Sequence, residues 1–142
     1  MFKNILIIVA HSDDETIGMG GTIKKHTLEG DNVFTVSMTD GVGSRSENNL
    51  KDKNERIEAS VKASNILDFV WERRFDFADN QLDKYPILNL IRKIDQIKGK
   101  VKPNLVYSHA MKDLNIDHRI ITEVVLTAFR PQPGEICNEI RL

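Results

Sequence analysis

The stretch ILIIVAHSDDETIGMGG, residues 5–21, decides the fold and locates the chemistry. It opens with a continuous run of Ile, Leu and Val, the pattern of a parallel strand that is buried on both faces. The run ends at His11, and three carboxylates follow within four residues: Asp13, Asp14 and Glu15. Ligands of α/β proteins bind outside the carboxyl ends of parallel strands. The stretch therefore predicts a functional site at the end of the first strand.

The rest of the chain alternates between strand and helix patterns. The predicted strands are residues 4–10, 33–39, 69–73, 105–108 and, with a weaker pattern, 136–142. The predicted helices are residues 16–29, 53–67, a segment that starts at Pro86, and 118–128, and residues 43–52 are predicted to form a polar loop. Strands that alternate with helices imply right-handed βαβ units. We expect a Rossmann-like three-layer α/β/α fold with a mostly parallel sheet.

The first two helices carry specific packing expectations. In the first, we expect the apolar side to comprise Ile17, Ile23 and Leu28, and a small-residue patch of glycines to let the helix approach the sheet closely. The glycines are Gly18, Gly20 and Gly21. In the second, the residues expected to face inward are Ile57, Val61, Ala63 and either Ile66 or Leu67.

Length, charge and cysteine content narrow the class of protein. The 142 residues suit one domain, here residues 1–142, which can bury about 68–70% of its unfolded surface. Lysine and arginine total 20 against 21 acidic residues, so no basic field favours nucleic acid or an anionic membrane as a partner. With a single cysteine, no predicted membrane span and no cleavable leader, we expect a cytoplasmic protein.

A second cluster of ligand-type residues follows the strand at residues 105–108. The segment DLNIDH, residues 113–118, brings Asp117 and His118 to the same edge as His11 and Asp14, and Asp40 follows the second strand. Two histidines and one carboxylate leave coordination positions open, as in catalytic zinc sites. A neighbouring carboxylate that is not a ligand can take a proton from water, so Asp14 can ligate while Asp13 acts as base.

Simpler alternatives exist for each acidic residue. Asp13 or Asp14 could cap the first helix, and Asp117 could cap the helix that opens at His118. A cap needs only one carboxylate, however, and clustered like charges cost stability unless a cation compensates them. A metal site therefore explains the crowding better than caps alone.

Five segments together resemble the PIG-L/LmbE family of zinc-dependent N-deacetylases. They are AHSDDE (residues 10–15), TDG (39–41), RIE (56–58), DNQLD (79–83) and DLNIDHR (113–119). The resemblance implies removal of an acetyl group from an N-acetylglucosamine-type amino sugar or sugar conjugate. It implies Zn²⁺ held by His11, Asp14 and His118. It further implies Asp13 as general base and Asp117 as its partner in the second motif.

Substrate contacts are predicted at three further positions. The resemblance makes Arg56 a substrate contact, and we place Asp40 and His109 with it because they follow strands at the same edge. His109 is more suited to a pocket wall or to supporting the ligands than to metal ligation. The expected partner is a small acetamido sugar or conjugate, with a homo-oligomer left open.

The sequence departs from the family pattern at three points. Ser12 stands where proline is usual, and the chain stops at Leu142, where family members generally continue. Asn115 replaces a histidine; its amide can stabilise a developing oxyanion by about 3–4 kcal/mol if well aimed, but it cannot deliver a proton.

Two rivals to the zinc deacetylase remain, and the departures favour the first of them. One is an inactive, truncated domain used for ligand binding or assembly. The other is an Fe²⁺ enzyme, because two histidines and a carboxylate also form the facial triad of non-haem iron oxygenases.

Overall fold

A computed structural model describes residues 2–43 and 50–142. Within these residues the chain forms five strands and four α-helices in the order β1 (Asn4–Val9), α1 (Asp14–Leu28), β2 (Asn32–Thr39), α2 (Leu50–Leu67), β3 (Val70–Phe77), α3 (Ile87–Val101), β4 (Leu105–Tyr107), α4 (Ile116–Ala128) and β5 (Glu139–Arg141). A short 3-10 turn at Leu82–Lys84 precedes α3. The predicted loop over residues 43–52 falls mostly on residues 44–49, which lie outside the described residues, and α2 already begins at Leu50.

The five strands form one parallel sheet in the order β3-β2-β1-β4-β5. Strand β1 lies at the centre, where Ile7 is paired with Thr35 of β2 and with Tyr107 of β4. The strand order reverses across β1, and a crevice for ligands opens at the carboxyl end of such a switch point. The α/β prediction with a mostly parallel sheet is confirmed.

Two apolar layers cover the sheet. One layer contains Leu6 and Ile8 of β1, Ala10 directly after it, and residues of α3 and α4. The other layer contains Ile5, Ile7 and Val9, which pack with Ile23 of α1. This alternation follows from the two-residue period of a strand. Because β1 is buried on both sides, its carboxyl end is held firmly in place.

The expected apolar side of α1 is wrong. Ile23 is fully buried, but Ile17 and Leu28 are 82% and 77% exposed. Ile23 lies six positions after Ile17 along the chain. Six positions are not a whole number of helical turns, so the two side chains do not share one face of the helix. The backbone at Met19 also leaves helical geometry, with φ −146°.

The glycine patch of α1 does not contact the sheet. A Cβ on Gly20 would lie 3.7 Å from Leu67 of α2, and a Cβ on Gly18 or Gly21 would meet no atom of the described residues within 4 Å. The expected close approach to the sheet is therefore wrong, and Gly20 instead lies at the contact between the two helices.

Helix α2 buries serines where the sequence pattern favours isoleucines. Ser60 and Ser64 are buried, whereas Ile57 and Val61 are each 38% exposed, so the expected inward positions of Ile57 and Val61 are wrong. Of the two alternatives, Ile66 and Leu67, Leu67 packs on the apolar cluster and Ile66 is 71% exposed. Each serine hydroxyl donates to the carbonyl three residues earlier, so it can be buried without losing its hydrogen bond.

No helix among the described residues combines the length and the apolarity that crossing a membrane requires.

Candidate metal centre and active-site cleft

Three ligand-type side chains meet at the carboxyl ends of β1 and β4. His11 follows β1, Asp14 opens α1, and His118 lies in the first turn of α4. Asp14 Oδ2 lies 3.3 Å from His11 Nδ1 and 3.3 Å from His118 Nε2, and the two histidine nitrogens are 3.2 Å apart. The three atoms form a nearly equilateral triangle.

The size of this triangle suits a first-row divalent ion. Bond lengths of about 2.0–2.2 Å to nitrogen and oxygen place neighbouring ligand atoms about 3.3–3.6 Å apart in a tetrahedron, close to the sides of this triangle. Two imidazoles and a carboxylate are also the donor types that zinc and iron accept. One side of the triangle opens into a cleft of about 190 Å³ that His11, Asp14 and His118 help to line. The residues fit a metal ion with open coordination positions.

Two buried aspartates fix the ring of His11 from behind. Its Nε2 lies 3.0 Å from Asp79 Oδ1 and 3.3 Å from Asp117 Oδ2. Asp117 is fully buried and accepts hydrogen bonds from the backbone N–H groups of Asn80 and Leu82. When the His11 ring is neutral, a proton on Nε2 leaves Nδ1 unprotonated and directed at Asp14, the arrangement that orients metal-bound histidines. Asp117 thus lies behind His11 and is not among the residues that line the cleft.

His118 is held by a carboxylate and by a second ring. Its Nδ1 lies 3.0 Å from Asp113 Oδ2, which leaves Nε2 directed at Asp14. The ring of His109 stacks on His118 with 3.9 Å between centroids, and His109 Nε2 accepts a hydrogen bond of 2.8 Å from the Ala10 N–H. Like Asp117, His109 supports the ligand triangle from behind and is not among the residues that line the cleft.

The electrostatics of the triangle favour added positive charge. Burial alone would lower the pKa of His11, but hydrogen bonds to Asp117 and Asp14 outweigh it and raise that pKa to about 10. Burial of Asp14 is likewise outweighed by its hydrogen bonds to the two histidines, which lower its pKa. A site that holds an extra proton so firmly is one where a cation can replace it.

Burial shifts the pKa values of two neighbouring groups in the direction that disfavours their charged forms. Burial, and then the adjacent His118, lower the pKa of His109 to about 4, in keeping with its role as an acceptor from Ala10. Burial raises the pKa of Glu15, the third carboxylate of the first motif, which is fully inaccessible to solvent. Glu15 is therefore not part of the open cleft.

Asp13 lines the cleft and does not cap α1. It occupies the N-cap position, but its side chain makes no capping hydrogen bond. Its carboxylate instead pairs with Arg56 of α2 at 3.0 Å. Gly41 permits this approach, because it has φ +68° and a Cβ there would lie 2.9 Å from Arg56 Nε. Asp13 and Arg56 stand side by side in the wall of the cleft.

Asn115 is the residue that caps α4. Its side-chain oxygen accepts from the N–H groups of Asp117 and His118, at 2.8 and 3.4 Å. The cap predicted as an alternative for Asp117 is thus made by Asn115. Asn115 also lines the cleft, so its amide has one end in the helix cap and the other available to a ligand.

Asp40 lies outside the cleft. Its carboxylate accepts a hydrogen bond of 3.3 Å from the N–H of Val42, and it lines a separate small cavity. Sequence reasoning gave no role to Asp79 or Asp113, which hold the two histidines. Both lie in segments quoted for the family resemblance, so their motifs carried the signal, but only the structure shows which atoms they contact.

Comparisons with known proteins identify the family of the chain. The family model for PIG-L, GlcNAc-PI de-N-acetylase, matches residues 6–129. Diacetylchitobiose deacetylase of Thermococcus kodakarensis is 32% identical over 108 aligned positions, covering 73% of this chain and 39% of that protein. The 4-oxalmesaconate hydratase of Pseudomonas putida is 29% identical over 153 aligned positions, covering 94% of this chain and 56% of that protein.

A solved relative has the same fold. The N,N'-diacetylchitobiose deacetylase of Pyrococcus horikoshii superposes with a TM-score of 0.79 at 26% identity, covering 94% of this chain and 52% of that one. The chain therefore spans only about two fifths to somewhat over half the length of these relatives. The match over residues 6–129 shows that the chain belongs to the PIG-L family, described as GlcNAc-PI de-N-acetylase.

Proposed function

We propose that this chain carries the catalytic centre of a metal-dependent hydrolase that removes the N-acetyl group from an N-acetylglucosamine-type sugar or conjugate. The observation that carries the proposal is the triangle of His11, Asp14 and His118, which opens into the same cleft as Asp13 and Asn115. The names of two relatives, both diacetylchitobiose deacetylases, support the reaction class.

The proposed ligands are His11 Nδ1, Asp14 Oδ2 and His118 Nε2, and the proposed metal is Zn²⁺, with Fe²⁺ as the alternative that the same donors accept. When bound, such an ion would polarise the amide carbonyl and lower the pKa of water toward neutrality. Asp79 and Asp117 would keep His11 in the tautomer that ligates, and Asp113 would do the same for His118. Asp117 is accordingly proposed as a positioning residue.

Asp13 is the proposed general base. It is the carboxylate of the cleft that belongs to neither the ligand triangle nor the group behind His11. Its carboxylate would take a proton from the attacking water and then give that proton to the nitrogen of the departing amine. The ion pair with Arg56 holds the carboxylate in place for both transfers.

Asn115 is the proposed donor to the oxygen of the tetrahedral intermediate. Because its Oδ1 is fixed by the helix cap, the end of the amide that remains for a ligand is the NH₂ group. A preorganised donor of this kind stabilises charge that develops in the transition state. The cap thus determines which way round the amide faces.

A hydratase is the second candidate. One relative bears the name 4-oxalmesaconate hydratase, and its match covers 94% of this chain. Adding water to a double bond releases no amine, so it needs no group to protonate a leaving nitrogen. Asn115, which has no proton to deliver, suits that reaction as well as deacetylation.

One paired experiment tests the proposal. Elemental analysis of the purified protein measures the metal, and acetate release is followed with N-acetylglucosamine and its glycosides. We expect about one divalent ion per chain and acetate release that a chelator abolishes. Metal without acetate release, together with hydration of an unsaturated acid, would favour the hydratase. Metal with neither activity would favour an inactive binding domain.

A further inference from the structure

A second, larger cavity adjoins the metal cleft. It has a volume of about 500 Å³ and lies between Thr16 and Ile17 of α1 and Ala59 and Ala63 of α2. We call it the side groove. The Asp13–Arg56 pair lines both the side groove and the metal cleft. A molecule whose acetamide group reaches the cleft can therefore extend past this pair into the side groove.

Three of the residues that line the side groove have aliphatic side chains. Ile17 lines it while remaining 82% exposed to solvent, and Ala59 and Ala63, one helical turn apart on α2, leave space beside it. An exposed isoleucine beside small residues offers apolar area that a ligand can remove from water. Ser12 and Thr16 also line the groove, and the Thr16 hydroxyl donates a hydrogen bond of 2.6 Å to Glu15.

The charges around the side groove are mainly negative. Asp13, Asp52 and Glu55 line it, and among the described residues the single cation in its wall is Arg56, which is already paired with Asp13. Glu55 also lies 3.8 Å from Lys51, but this pair is on the exposed surface and is screened by solvent. A phosphate group placed here would be repelled by these carboxylates, and the one cation that the described residues bring to the groove is already paired with Asp13.

We propose that the side groove binds the group to which the acetamido sugar is linked, and that this group is an uncharged aliphatic aglycone and not a phosphate ester. This inference rests on the proposed deacetylase function. Ile17 and Ala63 are then specificity-determining residues, because they shape the part of the site that the acetamide does not reach. Asp52 and Glu55 determine the charge that the linked group can have.

The test compares three probes that share one acetamido sugar. They are the methyl and hexyl β-glycosides of N-acetylglucosamine and N-acetylglucosamine 1-phosphate, with acetate release giving kcat/KM for each. We expect the order hexyl, then methyl, then phosphate. Ala63→Trp fills the groove and should lower the hexyl-to-methyl ratio of kcat/KM at least tenfold, since one methylene in an apolar pocket changes discrimination by about tenfold or more.

Two variants accompany Ala63→Trp. Lys62→Trp adds the same ring at the neighbouring exposed position of α2 and should leave the ratio within about twofold of the parent. Ile17→Asn should lower the hexyl-to-methyl ratio about fivefold with little risk to folding, because residue 17 is exposed. A ratio that neither Ala63→Trp nor Ile17→Asn changes would overturn the groove assignment.

The charge of the groove has its own test. The double change Asp52→Asn and Glu55→Gln should raise kcat/KM for the 1-phosphate, relative to the methyl glycoside, about three- to tenfold at low salt, and the gain should shrink as salt is added. A parent protein that already prefers the phosphate would overturn the proposal.

Binding of hexyl β-glucoside separates failure of the groove from failure of the deacetylase function. This probe has no amide to cleave, and calorimetry measures its Kd directly. Binding that Ala63→Trp weakens at least tenfold and Lys62→Trp does not would support the groove even if no acetamido sugar is hydrolysed. Acetate release with unchanged probe binding in Ala63→Trp would overturn the groove and leave the deacetylase intact.

Discussion

Two clusters of histidine and carboxylate side chains differ in whether they are suited to bind a metal ion. The first is the ligand triangle of His11, Asp14 and His118, and the second comprises His26, Glu29 and Asp31 near the end of α1. In each, ligand-type atoms lie within 4.8 Å of one another. His26, however, uses both ring nitrogens within the protein, with Nδ1 2.8 Å from Asp31 and Nε2 2.9 Å from the Tyr107 hydroxyl.

The difference lies in what remains for a metal. Each histidine of the triangle has one nitrogen on a supporting carboxylate and the other directed at Asp14. His26 has no such spare nitrogen, and no cleft residue is part of its cluster. Proximity of ligand-type residues is thus not sufficient, and a metal site also requires nitrogens that the fold leaves open on a cavity.

Removing a ligand histidine gives the largest expected effect. His11→Ala or His118→Ala should lower metal content from about one ion per chain to less than about a tenth, because three protein ligands are the minimum of such sites. His26→Ala should keep the full content. Elemental analysis after gel filtration measures all three variants.

The comparison fails if His26→Ala loses the metal while His118→Ala retains it. Retention of metal in both His11→Ala and His118→Ala would also contradict the proposed ligand set.

The second-largest expected effect distinguishes the roles of the two adjacent aspartates. Asp13→Asn should keep the metal and lower kcat about 10²- to 10⁴-fold, since that is the contribution of a positioned general base. Asp14→Asn should instead lower metal affinity. Acetate release and metal content are measured on the same samples. Asp83→Asn changes an exposed aspartate in the 3-10 turn at Leu82–Lys84 and serves as the matched control.

The opposite outcome is informative. Metal loss in Asp13→Asn with turnover retained in Asp14→Asn would show that the roles of these two aspartates are exchanged.

The sequence predicted where the residues of the ligand triangle lie better than it predicted how the helices pack. His11, Asp14 and His118 could be placed at one edge because the carboxyl ends of parallel strands always meet there. The position of Asp79, by contrast, depends on how the segment before α3 folds back on α4, where Asp117 accepts from its backbone. Contacts between segments that are distant in sequence leave no periodic pattern to read.

The prediction of which side of each helix is buried was wrong for a related reason. The buried side of α2 is formed by Ser60 and Ser64, whose hydroxyls are satisfied by their own helix, and hydrophobicity alone ranks them below Ile57. The exposure of Ile17 is the second such case, and it coincides with the side groove. Departures from the expected burial pattern are common at functional sites.

Asn115 joins the two kinds of role in one side chain, because it caps a helix and lines the cleft. Asn115→Asp keeps a capping oxygen but replaces the donor with a negative charge, so we expect kcat to fall about 10²-fold or more with stability nearly unchanged. Asn115→Ala should lower kcat similarly and also cost about 1 kcal/mol in the free energy of unfolding. Acetate release and urea unfolding measure the two effects.

Restoring the usual family residue sharpens this test. Asn115→His should match or exceed the parent rate if only the imidazole is lacking. Full activity in Asn115→Ala would contradict the proposed role of the amide.

Asp117 tests the support behind the triangle. Asp117→Asn removes the charge that orients His11 and should raise the Kd of the metal about 10- to 100-fold, the usual cost of changing such a partner. A chelator competition assay measures the Kd. An unchanged Kd together with a lost kcat would instead place Asp117 in the reaction itself.

The smallest effect concerns the second cluster. Burial alone would raise the pKa of Asp31, but hydrogen bonds from the Lys3 N–H and from His26 outweigh it and lower that pKa. A lowered pKa means that Asp31 contributes stability above its unfolded value of about 3.9 and loses that contribution as the pH falls through the folded value. Asp31→Asn should therefore cost about 1 kcal/mol in the free energy of unfolding at pH 7. The deficit should shrink as the pH is lowered toward about 4 and below, while metal content stays at the parent level. Urea unfolding at a series of pH values measures the deficit. A deficit independent of pH would show that Asp31 acts through packing alone, and a loss of metal would break the distinction between the two clusters.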